Sequence, residues 1–362
     1  MNSIRIAENP MIPPWSLLGR KGESISSYLE QNGVKFHSLH ASGRAALFEG
    51  LKMLGCTAGD NVLLPAYICD VATIPFHELG TEMRFYDILP SLEPDMADLA
   101  SKVDSKTKAI MTVNYFGFPQ ELEPVRDLCS KNGIFLIEDN SHGVLGKKGT
   151  SLLGTFGDIG FSSLYKVLAT PNGGALLLNN DQLIPDNPAS VTPTGFSLKS
   201  DGFFLLYSTL TFLETEWRFP AWIFRNTYKK THPEREGIRD KTLFLGASIS
   251  RVAVSALEKL DTEEVISRRR KNYDFWLEKV HGRKGVSIVF ESQPEGTCPW
   301  VFPIIVEGDD FIEEIRSQGI VTSLWPPFLP AEVRGRDDYA NYLAEHLFTL
   351  PVHQNINQKY LK

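Results

Sequence analysis

Phe161-Ser162-Ser163-Leu164-Tyr165-Lys166, followed by Val167-Leu168-Ala169-Thr170-Pro171-Asn172-Gly173-Gly174, decides how this chain is read. An apolar strand ends at a lysine, a Pro/Gly loop follows, and Gly173 to Leu178 reads as the next buried strand. A lone lysine at a strand end can simply reach its ammonium out to water. What lies upstream gives this one another use.

Strand and helix alternate from Ser38 to Leu178. Gly43 to Leu54 has apolar residues at helical spacing (Ala46, Leu47, Leu51, Leu54), with Gly55 as its stop. Asn61 to Pro65 reads as a strand, and Val71 to Leu79 as a helix with Pro75 in its first turn. Met83 to Tyr86 is a predicted strand, Met96 to Val103 a helix, Ala109 to Val113 a strand, Leu122 to Asn132 a helix and Gly133 to Ile137 a strand. This rhythm predicts an α/β fold with a largely parallel sheet covered by helices on both faces.

The rhythm stops at 186–245. An aromatic-rich stretch at 203–225 reads as helix, and a polar excursion runs from Lys229 to Glu236. Helices are predicted at Ser248 to Lys259 and Glu263 to Val280, with strands at Val286 to Phe290 and Trp300 to Val306 and a helix at Phe311 to Gln318. The expected division is a large domain, 1–245, containing a leader and the atypical 186–245 insertion, and a smaller α/β domain, 246–362.

The formal net charge of −7 over 362 residues argues against a general nucleic-acid binder. Arg268-Arg269-Arg270-Lys271 reads as a solvated helical face. The four cysteines have no metal-ligand spacing and suggest no disulfide framework. Met1-Asn2-Ser3-Ile4-Arg5 has no apolar core of a secretory signal, so a cytoplasmic protein is expected. Phe203 to Leu213 is about half the ~20 apolar residues that a spanning helix needs, so membrane contact is not expected.

Two further segments join the lysine. In Ile137-Glu138-Asp139-Asn140-Ser141-His142 a buried strand runs into two acids, and ligands of open α/β sheets sit beyond the carboxyl ends of strands. Asp139 can cap the next segment or pair with a protonated ring nitrogen. His40-Ala41-Ser42-Gly43-Arg44-Ala45 is a small-residue turn entering a helix, an anion site in which Ser42 can serve as N-cap or as hydroxyl donor. Pyridoxal phosphate needs all three features. Its phosphate needs donors, its pyridinium nitrogen a carboxylate, and its aldehyde an amine for the Schiff base. The lysine then serves as covalent anchor and, once displaced, as the base that moves the α-proton.

With these residues the chain resembles the DegT/StrS family of PLP-dependent sugar aminotransferases, within the fold type I (aspartate aminotransferase) superfamily. Ser42-Gly43-Arg44 resembles the family's Ser-Gly-Thr phosphate turn, and Gly59 to Tyr67 its GDEVIVPAF run. Thr107 to Gly117 resembles its TKAI…YG segment, Ile137-Glu138-Asp139 its IED, and Leu350-Pro351-Val352-His353 its LPxH. Gly157 to Ser162 precedes Lys166 as in the family. The resemblance covers about 38–180 and resumes from about Gly246.

The resemblance implies a large domain with a mainly parallel seven-stranded sheet, with Lys166 as the Schiff-base lysine and Asp139 as the pyridinium partner. It puts His142 where the family usually has Gln, against the ring or its 3′ oxygen. It implies cofactor contacts from Ser42, Gly43 and Arg44. Either Ser162 or Ser163 contacts the phosphate, and either Cys69 or Tyr67 covers the ring. Ser248 stands where the family has a partner-subunit Asn. A homodimer with a shared active site is implied, using glutamate as amino donor and a keto sugar, usually nucleotide-linked, as acceptor. Relatives that dehydrate sugars at C-3 carry histidine in place of the lysine, so Lys166 favours transamination. A non-catalytic sensor or membrane-associated protein on this fold is the third reading, prompted by the 203–225 stretch.

Overall fold

The computed structural model describes residues 22–186, 245–308, 310–336 and 338–361, with short pieces at 6, 9–11, 193–195, 201–202, 204–206 and 208–210. Most of the 186–245 insertion lies outside the described residues, as do the polar excursion at 229–236 and all of the 203–225 stretch except 204–206 and 208–210.

A seven-stranded sheet holds the first half of the chain. Its strands are β1 (Phe36–His40), β2 (Asn61–Pro65), β3 (Glu82–Tyr86), β4 (Thr107–Val113), β5 (Phe135–Asp139), β8 (Ile159–Ser163) and β9 (Gly174–Leu178), and a small hairpin of β6 (Lys147–Lys148) and β7 (Ser151–Leu152) lies apart. The order is β1-β9-β8-β5-β4-β2-β3. The pairings from β3 through β8 are parallel, and β9 runs antiparallel to both neighbours, so β1 points the same way as the parallel strands. The strands β2, β8 and β9 are buried along their whole length, as expected of a sheet covered on both faces. The helix Gly43–Met53 packs on β8 and β9 through Ala46, Leu47 and Leu51.

Several boundaries differ from the sequence reading. Residues Gly133 and Ile134 precede β5 rather than belong to it. Gly133, at φ 66°, takes the left-handed turn that ends the helix Glu123–Asn132, and its N–H bonds the Cys129 carbonyl. The strand instead runs on through Glu138 and Asp139, and because side chains alternate along a strand these two acids face opposite sides of the sheet. The helix predicted to Val103 stops at Ser101. Lys166 is not at a strand end. The strand stops at Ser163, and Lys166 sits in a single helical turn, Leu164–Val167.

Towards the C-terminus a second sheet forms from β10 (Val286–Ile288), β11 (Val301–Val306), β12 (Ser323–Leu324) and β13 (Leu347–Pro351), in the order β10-β11-β13-β12. All its pairings are antiparallel, a direction that strand–helix alternation in sequence does not specify. The helix Thr262–Val280 packs on β10 and β11 through Tyr273, Trp276 and Val280. The buried apolar residues of the two sheets form one continuous cluster. The Arg268–Lys271 run is not a uniformly solvated face: Arg269 is fully buried, turned inward by its position one helical turn before Tyr273 and two before Trp276.

Candidate active site

Because β1, β2, β4, β5 and β8 point the same way, the segments that follow them meet along one sheet edge, where ligands of such sheets bind. Ser42 to Arg44 follow β1, Tyr67 and Cys69 follow β2, Tyr115 and Phe116 follow β4, Asp139 ends β5, and Ser162 to Lys166 end β8 and continue from it.

Three glycines bring the first and last of these together. A Cβ on Gly43 would lie 2.3 Å from Ser163 Oγ. One on Gly174 would lie 2.2 Å from the Ser42 carbonyl. Between them, the Gly173 N–H donates to the Ala41 carbonyl at 2.9 Å and its carbonyl accepts from the Leu164 N–H at 3.0 Å. The helix start at Gly43 is thereby fastened to the turn that carries Lys166. Ser42 is the N-cap of that helix, its Oγ accepting from the Ala45 N–H at 3.2 Å. Of the two candidate serines, Ser163 stands beside the helix start, and alternation turns Ser162 to the other face of β8. Arg44, in the first helical turn, has a buried Nη1 with no hydrogen-bond partner among the described residues.

Asp139 is buried at the end of the central strand β5, and its Oδ1 accepts from the Ser141 N–H at 2.9 Å. Burial pushes its carboxyl up, against the pull of Ser141 and the charge of Lys166. On the opposite face Glu138 accepts from the N–H groups of Gly154 and Phe156, and burial raises it to about 7. That acid is bound into the loop 154–157 and takes no part in the site.

His142 is fully enclosed. Its ring stacks on Trp300 with centroids 4.3 Å apart and on Phe116 at 5.8 Å, and Trp325 meets it edge-on at 5.0 Å. Nδ1 accepts the Phe116 N–H at 3.1 Å, and Nε2 lies 3.0 Å from Lys166 Nζ. Burial, reinforced by the Lys166 charge, holds the imidazole well below its usual range, so it is neutral. With Nδ1 occupied as an acceptor, the ring hydrogen belongs on Nε2, facing the lysine. Lys166 Nζ also lies 4.8 Å above the Trp300 ring.

The other predicted residues lie at the margin. Tyr67 is fully buried, its hydroxyl donating to the Trp325 carbonyl and its ring edge-on to Trp325. It serves as a strut between the two sheets. The Cys69 thiol faces Asp70 at 3.7 Å, and burial raises it while the Lys166 charge pulls it down, so it lies within electrostatic reach of the lysine. Ser248, in the segment expected to meet a partner subunit, has neighbours tied to this chain's own site. The Ala247 carbonyl accepts from the Ala41 N–H, and the Ser250 N–H donates to Asn172.

Sequence reasoning missed Trp300, Trp325 and Arg269. The two tryptophans come from segments more than 130 residues beyond Lys166 in the chain, and nothing local marks them. Arg269 donates to the carbonyls of Val167 at 2.7 Å, Pro299 at 3.0 Å and Trp300 at 3.0 Å, and to Gln354 Oε1 at 3.1 Å. Its one signal was its place one turn from Tyr273 on an amphipathic helix. No group of metal-ligating side chains occurs among the described residues, and no described helix is long and apolar enough to cross a membrane.

The residues present fit pyridoxal phosphate. They comprise an amine with a neutral neighbour, a buried carboxylate with no cation but Lys166 acting on it among the described residues, a helix start closed down by Gly43, and, among the same residues, an unpartnered guanidinium nitrogen in its first turn.

The description of the DegT/DnrJ/EryC1/StrS aminotransferase family matches residues 22–193. GDP-perosamine synthase from Vibrio cholerae is 33% identical over 156 residues, covering 42% of this chain and 42% of that protein, so the match spans about two fifths of that relative's length. GDP-4-keto-6-deoxy-D-mannose 3-dehydratase from Escherichia coli O55:H7 is 26% identical over 373 residues, covering 94% of this chain and 86% of that protein. Among solved structures, the aminotransferase TlmJ from Streptoalloteichus hindustanus superposes with a TM-score of 0.68 at 20% identity, over 98% of this chain and 89% of that one. The chain thus shares the fold of that solved aminotransferase structure, and its segment 22–193 is similar to the DegT/DnrJ/EryC1/StrS aminotransferase family.

Proposed function

We propose that this protein is a PLP-dependent aminotransferase that moves an amino group, from glutamate, to a keto sugar carried on a nucleotide. The observation that carries the reading is the 3.0 Å approach of His142 Nε2 to Lys166 Nζ, beside the strand that ends in buried Asp139. Bound here, pyridoxal phosphate supplies an aldehyde for an amine and a ring that takes up electrons from the substrate's α-carbon. Lys166 would hold it covalently and afterwards carry the proton to and from the substrate carbon. Asp139 would hold the proton on the ring nitrogen, a cation that offsets the cost of burying this carboxylate. The helix start at Gly43, with Ser163 and Arg44, would take the phosphate. His142 would keep a hydrogen directed at the lysine nitrogen, and Trp300 would shield that nitrogen from water.

The sugar acceptor is supported by the relatives, which include a synthase named for GDP-perosamine and two enzymes named for nucleotide-linked keto sugars. The dehydratase among them that aligns over nearly the whole chain motivates a second reading, loss of the C-3 oxygen in place of transamination. Lys166 favours the first reading, because a lysine amine is available as anchor and base. The division at 245/246 and a homodimer with a shared site belong to the same proposal.

The test has two stages. Purified protein mixed with pyridoxal phosphate is expected to develop the visible absorbance of a lysine-bound cofactor, which glutamate then bleaches. Candidate nucleotide-linked keto sugars added to the bleached protein should restore it, with nitrogen appearing in the sugar by mass spectrometry. Loss of oxygen from the sugar with no nitrogen gained would establish the dehydratase reading instead. No absorbance change with any amino donor would remove both and favour a sensor.

A further inference from the structure

Arg269 is a fully buried cation whose hydrogen-bond partners among the described residues include no carboxylate. Its guanidinium is spent on two separate stretches of backbone and one amide side chain. Nη2 reaches the Val167 carbonyl at 2.7 Å and the Lys166 carbonyl at 3.5 Å, at the end of the single turn that presents Lys166. Nη1 takes the carbonyls of Pro299 and Trp300, both at 3.0 Å. Nε takes Gln354 Oε1 at 3.1 Å, and Gln354 Nε2 returns to the Val167 carbonyl at 3.3 Å.

The carbonyls at a helix end carry partial negative charge, and a four-residue turn has no packing length of its own to hold it in place. Leu164 to Val167 is tied at its start by Gly173 and at its end by Arg269. The same guanidinium grips Trp300, whose ring lies over Lys166 Nζ and against His142. The planar fork fixes both segments at once, which a point charge on a flexible stem does not do.

We propose that Arg269 is a positioning residue that sets Lys166 and Trp300 relative to each other. It touches none of the reacting atoms. The proposal rests on Lys166 being the reactive lysine, so its test must read that lysine with and without cofactor.

The experiment uses the full chain with R269K, R269M and R269A. Folding is followed by circular dichroism and thermal melting. Lys166 reactivity is measured without cofactor, by mass spectrometry of acylation with a small amine reagent, using other lysines as internal controls. Folded variants are expected to change the Lys166 acylation rate by about tenfold or more, a displacement near 1 Å being able to cost about 10²-fold, while other lysines keep theirs. Added guanidinium should return R269A towards the parent rate, whereas R269K, with the charge but not the fork, should remain changed. With pyridoxal phosphate, the pH midpoint of the visible band should move in the same variants. Should a folded R269K or R269M acylate Lys166 at the parent rate and keep the parent midpoint, Arg269 is structural only and the proposal fails. If no variant binds pyridoxal phosphate and neither does the parent, the acylation result still decides the proposal, and the functional reading is what has failed.

Discussion

Lys166 Nζ and His142 Nε2 stand 3.0 Å apart, and the Phe116 N–H, 3.1 Å from Nδ1, determines which of the two carries the shared hydrogen. A neutral imidazole has one acceptor and one donor nitrogen. Since the backbone already uses the acceptor, Nε2–H points at the lysine nitrogen, and it can donate there whenever that nitrogen carries a lone pair. His142 thus acts as a fixed donor rather than as a base.

Lys166→Ala is expected to abolish covalent capture of pyridoxal phosphate, read as loss of borohydride-trapped adduct in the intact-protein mass. Amino transfer should fall by about 10³-fold or more, since anchor and proton carrier are lost together. Equal covalent capture by the variant would move the anchor to another lysine.

His142→Gln removes a titratable group with no loss of hydrogen-bonding ability. In the parent, His142 is held neutral below its ordinary value of 6.5, so the unfolded chain takes up the proton first. Its contribution to stability is therefore whole above 6.5 and is lost as pH falls, by about 1.4 kcal/mol per pH unit while the folded ring stays neutral. Chemical denaturation of parent and variant from pH 8 to 5 should show the gap between them shifting in the variant's favour on acidification. A constant gap would mean that the folded ring takes up its proton at the same pH as the unfolded one.

Gly174→Ala is expected to damage the fold more than Gly43→Ala. The new methyl at 174 meets the Ser42 backbone at 2.2 Å, whereas at 43 it meets the Ser163 hydroxyl at 2.3 Å, a side chain that can turn away. Overpacking at a backbone contact costs about 1–3 kcal/mol. G43A should fold near normally yet bind pyridoxal phosphate less tightly, because the displaced hydroxyl is the one beside the helix start. Melting temperature and cofactor titration separate the two effects.

Arg44→Ala tests the unpartnered guanidinium nitrogen. If it takes the phosphate, the variant should lose about tenfold or more in affinity for pyridoxal phosphate, a charge-assisted hydrogen bond being worth about 1.5–3 kcal/mol. Its affinity for pyridoxal, which lacks the phosphate, should hardly change. Parallel losses for both ligands would assign Arg44 a structural role.

The chain's own sequence determined the alternating strands and helices of the first half. Periodicity and the stop at Gly55 are local properties, whereas Gly133, read from the sequence as the start of a strand, ends the preceding helix. The order Ser42-Gly43, Asp139 and Lys166 was legible for the same reason, since each stands next to a strand or helix whose pattern is local. The tertiary structure alone decided how these residues meet. It put Ser163 rather than Ser162 at the helix start, because strand alternation depends on where the strand ends. It enclosed His142 between Trp300 and Trp325, which a remote antiparallel sheet delivers. It buried Arg269 under the Lys166 turn, although a row of four basic residues reads as a wet surface. A sequence carries the spacing along one strand or helix, while contact between segments a hundred residues apart depends on which faces the packed core turns toward each other.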